Sequence, residues 1–132
     1  MVTRLTLSNG EWIDVKDRQT VRDEQEIYTY SNEGIAADTS KYNIIKHRVA
    51  TAAIRIRNWS VTGEDGKTIL WPAGRSFKDR IEAILSLYED QGDMIHEAIA
   101  KHLNALASAK ADAKKETQDG ATDSELSSPS AS

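Results

Sequence analysis

Apolar positions along the first sixteen residues alternate with polar ones in two short runs, Thr3-Arg4-Leu5-Thr6-Leu7-Ser8 and Glu11-Trp12-Ile13-Asp14-Val15. Between them stands Asn9-Gly10, a pair favoured where a tight turn needs positive φ. The spacing predicts a β-hairpin over residues 1–16 with a two-residue loop, Leu7 facing Trp12 and Thr6 facing Ile13. A lone hairpin is marginal in water, so one side should lie against the rest of the chain, with Trp12 as its anchor. The period then changes. Residues 17–30 open on Thr20 and Asp23, spaced as a helix cap, with Val21, Ile27 and Tyr28 as a thin apolar stripe. Residues 31–38 read as a loop. From Asp38 or Thr39, Tyr42, Ile45, Val49, Ala52, Ala53 and Ile56 recur at three- and four-residue intervals, predicting a central core helix that ends near Asn58.

Beyond it, Trp59–Thr62 and Thr68–Pro72 are two β-prone runs around Gly63-Glu64-Asp65-Gly66-Lys67. They predict a small hairpin or an ordered loop that tucks two tryptophans inward. Ser76 with Asp79 is another cap. Phe77, Ile81, Ile84, Leu85 and Tyr88 form an amphipathic stripe. Gly92-Asp93 interrupts it, and Met94, Ile95, Ala98, Ile99, Leu103 and Leu106 resume it. Two helices follow, at about 76–88 and 92–110, or one bent helix. After Leu106 the only large apolar residue is Leu126. Such a segment cannot offset the entropy cost of ordering, so residues 107–132 are expected to be a helix fraying by about Lys115 and then a disordered acidic tail. The predicted fold is mainly α: a small helical domain over 1–106 with an N-terminal β-hairpin.

Length and charge sharpen this picture. With 132 residues the chain is one domain's worth. The net charge of −4 divides into −4 over residues 1–40, +6 over 41–80 and −6 over 81–132. A basic middle between acidic ends suits an acidic partner or the chain's own termini. Without cysteine there is no disulfide and no thiolate metal site. No apolar run reaches the ~18 residues of a membrane span, and the N-terminus lacks the apolar core of a signal peptide. The protein is expected to stay where it is made.

Candidate chemistry is sparse. The sequence carries no phosphate loop, nucleophile elbow or His-Glu-x-x-His. His47, His96 and His102 lack metal-ligand spacing, so no catalytic, cofactor or metal residue is expected. The carboxylates of Asp23-Glu24-x-Glu26 and Glu89-Asp90 fall on faces expected to be solvated, and Ser8, Ser60 and Ser76 suit turns and caps. Lys46, His47, Arg48, Arg55, Arg57, Arg75, Lys78 and Arg80 concentrate positive charge. They fit no helix-turn-helix or RNA-recognition pattern, and the chain as a whole is acidic. Trp12, Trp59 and Trp71 default to core anchors. Arg57-Asn58-Trp59, beside a Gly-rich loop, is the best candidate for an exposed binding hot spot, because Trp and Arg are enriched there.

The opening Leu5-Thr6-Leu7-Ser8-Asn9-Gly10-Glu11-Trp12-Ile13-Asp14-Val15 resembles the start of tail assembly chaperones of long-tailed, siphovirus-type phages. So does the passage from an Ala-containing helix into Ile56-Arg57-Asn58-Trp59-Ser60-Val61 and Glu64-Asp65-Gly66-Lys67. The final Asp93-Met94-Ile95-His96-Glu97-Ala98-Ile99-Ala100-Lys101-His102-Leu103 has a similar layout. The likeness spans about residues 3–106 as a pattern, and Ile27–Lys41 departs from it. It implies a non-enzymatic protein of the host cytoplasm that binds the tape measure protein and recruits tail tube subunits during tail morphogenesis. It also implies absence from the finished virion and, in many members, a longer frameshifted form, for which Lys114-Lys115 marks a suitable place. Partner contacts are expected at Trp12, Arg55, Arg57, Trp59, Met94, Ile95 and Ile99. Self-association is compatible with this reading, whereas membrane is not expected as a partner. Two alternatives are a virion structural protein, such as a head–tail connector or minor tail component, and, more remote, a nucleic-acid-binding regulator.

Overall fold

A computed structural model describes residues 1–32 and 40–123, and the surroundings of the side chains of 1–32 and 44–113. Strands β1 (Val2–Thr6) and β2 (Trp12–Lys16) are followed by helices α1 (Val21–Asn32) and α2 (Ser40–Arg55). Strand β3 (Ile56–Trp59) and helices α3 (Phe77–Leu85) and α4 (Glu89–Asp123) complete the chain. The fold is mainly α, with the expected N-terminal hairpin extended to a three-stranded sheet of order β1-β2-β3. The chain divides into two compact units, Met1–Ala100 and Lys101–Ser132. In the second, His102, Leu103 and Leu106 are half-buried, and its other described side chains are exposed.

The hairpin is present, but its register differs by one residue from the expected one. Thr6 pairs with Trp12 and Leu5 with Ile13. The loop holds three residues, because the Leu7 N–H donates to the Glu11 carbonyl at 2.7 Å and the Gly10 N–H to the Leu7 carbonyl at 3.0 Å. Gly10 has φ +92, and among the described residues no non-glycine has positive φ. A two-residue type I′ turn would require positive φ at Asn9 as well. The chain adopts a type I turn closed by a glycine bulge instead. Asn9 keeps ordinary backbone angles and accepts the Glu11 N–H on its side chain. A shift of one residue exchanges the faces of a strand. Leu7, Ile13 and Val15 therefore point into the core, and Trp12 stands on the outer face. The expectation that Trp12 anchors the hairpin in the core is thereby corrected.

The same loop recurs at Gly63–Lys67. The Gly63 N–H donates to the Lys67 carbonyl and the Gly66 N–H to the Gly63 carbonyl, with φ +77 at Gly66. Asp65, like Asn9, accepts the backbone N–H two residues on. The two loops are clasped by Glu11, whose carboxylate accepts from the Thr62 hydroxyl at 2.7 Å and the Thr62 N–H at 3.0 Å.

Helix α1 starts where Thr20 and Asp23 cap each other: the Asp23 N–H donates to the Thr20 hydroxyl and the Thr20 N–H to the Asp23 carboxylate. Asp23 also pairs with Lys16, so it is not the solvated carboxylate that its neighbours suggest. Ser31 and Asn32 of the expected 31–38 loop belong instead to α1, where the Ser31 hydroxyl donates to the Ile27 carbonyl; residues 33–38 of that loop, and the side chain of Tyr42, lie outside the described residues. Helix α2 ends at Arg55, short of the predicted Asn58, because Ile56–Trp59 turns into an edge strand on β2. Ile13 faces Trp59 and Asp14 faces Asn58, and a bulge at Arg57 brings Ile56 opposite Val15. Pairing to a preformed hairpin overrides the helical periodicity there. The Ala53 carbonyl is left without a helical partner and receives the Arg80 guanidinium at 2.9 Å.

Ser76 caps α3 as predicted, accepting the Asp79 N–H. The break before α4 falls at Ser86–Tyr88, not at Gly92. Gln91 accepts the Tyr88 N–H and donates to the Thr62 carbonyl, so the helix begins at Glu89 and Gly92 lies within its first turns. Helix α4 continues past Lys115 to Asp123; the expectation about the tail beyond that point lies outside the described residues. The core of the first unit gathers Ile13, Val15, Ile27, Ala50, Ala53, Ile54, Ile56, Trp59, Val61, Trp71, Ile81, Ile84, Ile95 and Ile99.

Candidate binding groove

The residues expected to meet a partner fall into two groups. Trp59 is 2% exposed, its indole N–H donates to the Ile69 carbonyl at 2.7 Å, and its ring meets Trp71 edge-on at 4.7 Å. Ile95 and Ile99 are buried. Arg55 is buried too, one guanidinium nitrogen donating to the Lys16 carbonyl at 3.0 Å. Burial lowers its pKa against the opposing pull of Asp17 and Asp23. A side chain enclosed by its own core offers no surface to a partner, so Arg55, Trp59 and Ile99 are structural here, while Ile95, though buried, backs a recess beside α4. Trp71 is buried beside Trp59, so the two indoles cover each other within the core. Met94 is half-buried, and Arg57 is exposed on its bulge. Trp12 is half-buried on the outer sheet face, where the Arg4 guanidinium lies 3.6 Å from its ring centroid. Arg4 also forms a two-pronged pair with Asp14 at 2.8 and 3.1 Å. These three side chains satisfy one another.

Two concave surfaces lie on the helical side. One recess of about 640 Å³ runs between α1 and α3, walled by Gln25, Glu26, Thr29 and Tyr30 on one side and by Phe77, Lys78, Ile81, Glu82 and Leu85 on the other. Tyr30 and Phe77, one from each wall, meet edge-on with ring centroids 6.1 Å apart. A second recess of about 340 Å³ lies between α2, α3 and the start of α4. Its apolar lining includes Ile45, Val49, Ala52, Ile84, Leu87 and Ile95, and its polar lining includes Arg48, Glu89, Asp93 and His96. Leu85 borders both recesses. Ile45 and Leu85 are each 52% exposed and Tyr88 55%. Large apolar side chains are thus left half-exposed around concave surface.

Sequence periodicity assigned Ile45, Leu85 and Tyr88 to core stripes. The available signal was excess: Ile44-Ile45 and Ile84-Leu85 put two large apolar residues side by side on a helix, and one helix face cannot bury both. Ile84 is buried and Leu85 is left at the rim of the core, whereas Ile44 and Ile45 are both half-exposed and Tyr88 lies in the break between α3 and α4.

Polar chemistry in the groove is thin. His96 is half-buried, and its pKa is lowered by burial and by Arg48 and His47, with Asp93 opposing. Among the described residues no three His, Asp or Glu side chains gather as metal ligands, and no helix is long and apolar enough to cross a membrane. The basic segment is divided: Arg55 is buried, Arg80 is bound to the Ala53 and Arg75 carbonyls, and Lys46 lies over the Tyr30 ring at 4.8 Å. Ser60 accepts the Trp12 N–H at 2.9 Å, a structural role. Comparison with protein-family models, curated proteins and solved structures finds no match to this chain.

Proposed function

We propose that this chain is a non-catalytic binding protein that holds a helical segment of a longer client, and that it acts as a tail assembly chaperone of a long-tailed phage. The observation that carries the binding role is the pair of recesses joined at Leu85, with Ile45, Leu85 and Tyr88 half-exposed at their edges. Their walls are helices, so an incoming segment finds side chains but no sheet edge. A helix, which satisfies its own backbone hydrogen bonds, suits such a surface. The likeness of the Leu5–Val15 and Ile56–Lys67 segments to tail assembly chaperones supplies the client: the tape measure protein, with tail tube subunits recruited in turn. In this reading the host cytoplasm is where the protein works, and it leaves before the virion is complete.

Co-expression with the tape measure and tail tube proteins encoded nearby, followed by capture of the chain, tests the proposal. The wild-type chain is expected to retain the tape measure protein, and Leu85→Asp to lose it while keeping its helical circular dichroism. Purified virions should lack the chain. Stoichiometric presence in virions without capture of either client would favour a connector or minor tail component.

A further inference from the structure

We infer that the helix received by this groove is flanked by lysine or arginine on both sides of its apolar stripe. The inference rests on the reading of the groove as a client site. It starts from the carboxylates of the first unit, some of which are held by the chain itself. On the sheet side Glu11, Asp14 and Asp23 are held by their own chain, through Thr62 and Asn9, through Arg4, and through Lys16 and Thr20. Around the groove Glu26, Glu82, Glu89 and Asp93 have, among the described residues, neither a hydrogen-bond nor an ion-pair partner for their carboxylates.

Their placement is two-sided. Glu26 on α1 and Glu82 on α3 stand on opposite walls of the first recess, and Glu89 and Asp93 follow one turn apart on α4 beside the second. Among the described residues lining the recesses, Lys78 and Arg48 are the lysine and arginine, so carboxylates outnumber them two to one, with Lys46 close by over the Tyr30 ring. A helix laid over Tyr30, Phe77, Leu85 and Tyr88 therefore passes carboxylates on both sides. Acidic flanks on that helix would meet like charges at the margin of an apolar surface, where water screens them incompletely. Basic flanks find open partners, and long Lys or Arg stems extend the apolar contact while the charge reaches the wall.

Two synthetic peptides of about eighteen residues, five helical turns, provide the test: one leucine stripe, flanked by Lys in one and by Glu in the other. Binding to the full-length chain is read by fluorescence anisotropy at low and high salt. The Lys-flanked peptide is expected to bind about tenfold more tightly at low salt, with the advantage shrinking as salt rises. Glu26→Gln with Glu82→Gln should remove several-fold of that preference, and Glu24→Gln, outside the groove lining, should leave it intact. Equal binding of the two peptides overturns the inference while leaving the groove in place. Binding that persists unchanged in the double variant arises elsewhere on this acidic chain and overturns it too. If neither peptide binds, the inference fails, and the effect of Leu85→Asp on capture of the client decides separately whether the groove reading survives.

Discussion

Glu11 shows how much one side chain can fasten. Burial raises its pKa, but hydrogen bonds from the Thr62 hydroxyl, the Asn9 amide and the Thr62 N–H outweigh this, and the net shift is downward. A carboxylate whose folded-state pKa is depressed contributes stability above its unfolded value, near 4.3, and loses it as pH falls through the folded value. Glu11→Gln is therefore expected to cost about 1–2 kcal/mol at pH 7, the worth of one or two hydrogen bonds at a partly exposed site. The gap from wild type should close on acidification, read from urea unfolding at a series of pH values. A gap independent of pH would assign Glu11 a packing role only. Among single residues, caps were the most legible in the sequence: Thr20 and Ser76 act through neighbours three positions away. The destinations of Arg55 and Trp59 were not, because each is decided by contacts with residues distant in sequence, Lys16 for the one and Ile69 and Trp71 for the other.

For elements, two glycines with opposite consequences test the account. Gly10 has φ +92 and closes the first turn, so Gly10→Ala should destabilise by about 1–2 kcal/mol even though nothing crowds its added methyl group. Gly92 lies in α4 with open space at the same position, and Gly92→Ala should stabilise by about 0.5–1 kcal/mol. Thermal unfolding of the two variants checks both signs. The hairpin, α2, α3 and α4 were visible as periodicities. Their limits were less so. Asn9-Gly10 serves two loop shapes that share a positive φ at glycine, and the inward demand of Leu7, Ile13 and Val15 together selects the three-residue form. The end of α2 was hidden because Ile56 continues the helical spacing and also fits the edge of the sheet.

For the whole molecule, composition predicts a folded part over 1–106 followed by a tail poor in apolar residues, and the first compact unit ends at Ala100. From Ala107 to Ala113 every side chain is exposed. A chain ending at Leu106 is thus expected to unfold within about 3 °C of the full-length chain, the shift that roughly 0.5 kcal/mol produces in a domain of this size. A larger loss would give the remainder a structural role. The groove was the least legible feature, because periodicity tells which residues are apolar but not which of two adjacent ones the core leaves at its edge. That outcome depends on how α1, α2 and α3 pack, which only the assembled unit specifies.

The order β1-β2-β3 also imposes a timetable. β3 follows β2 only after some forty residues of α1 and α2, and Thr62, which clasps Glu11, comes later still. On a ribosome adding about 5–20 residues per second, the newborn hairpin waits about two to eight seconds with Leu7, Ile13 and Val15 uncovered. During that interval this protein is itself in need of shelter. Slower codons between Lys16 and Ile56 would prolong its vulnerability, and faster ones would shorten it.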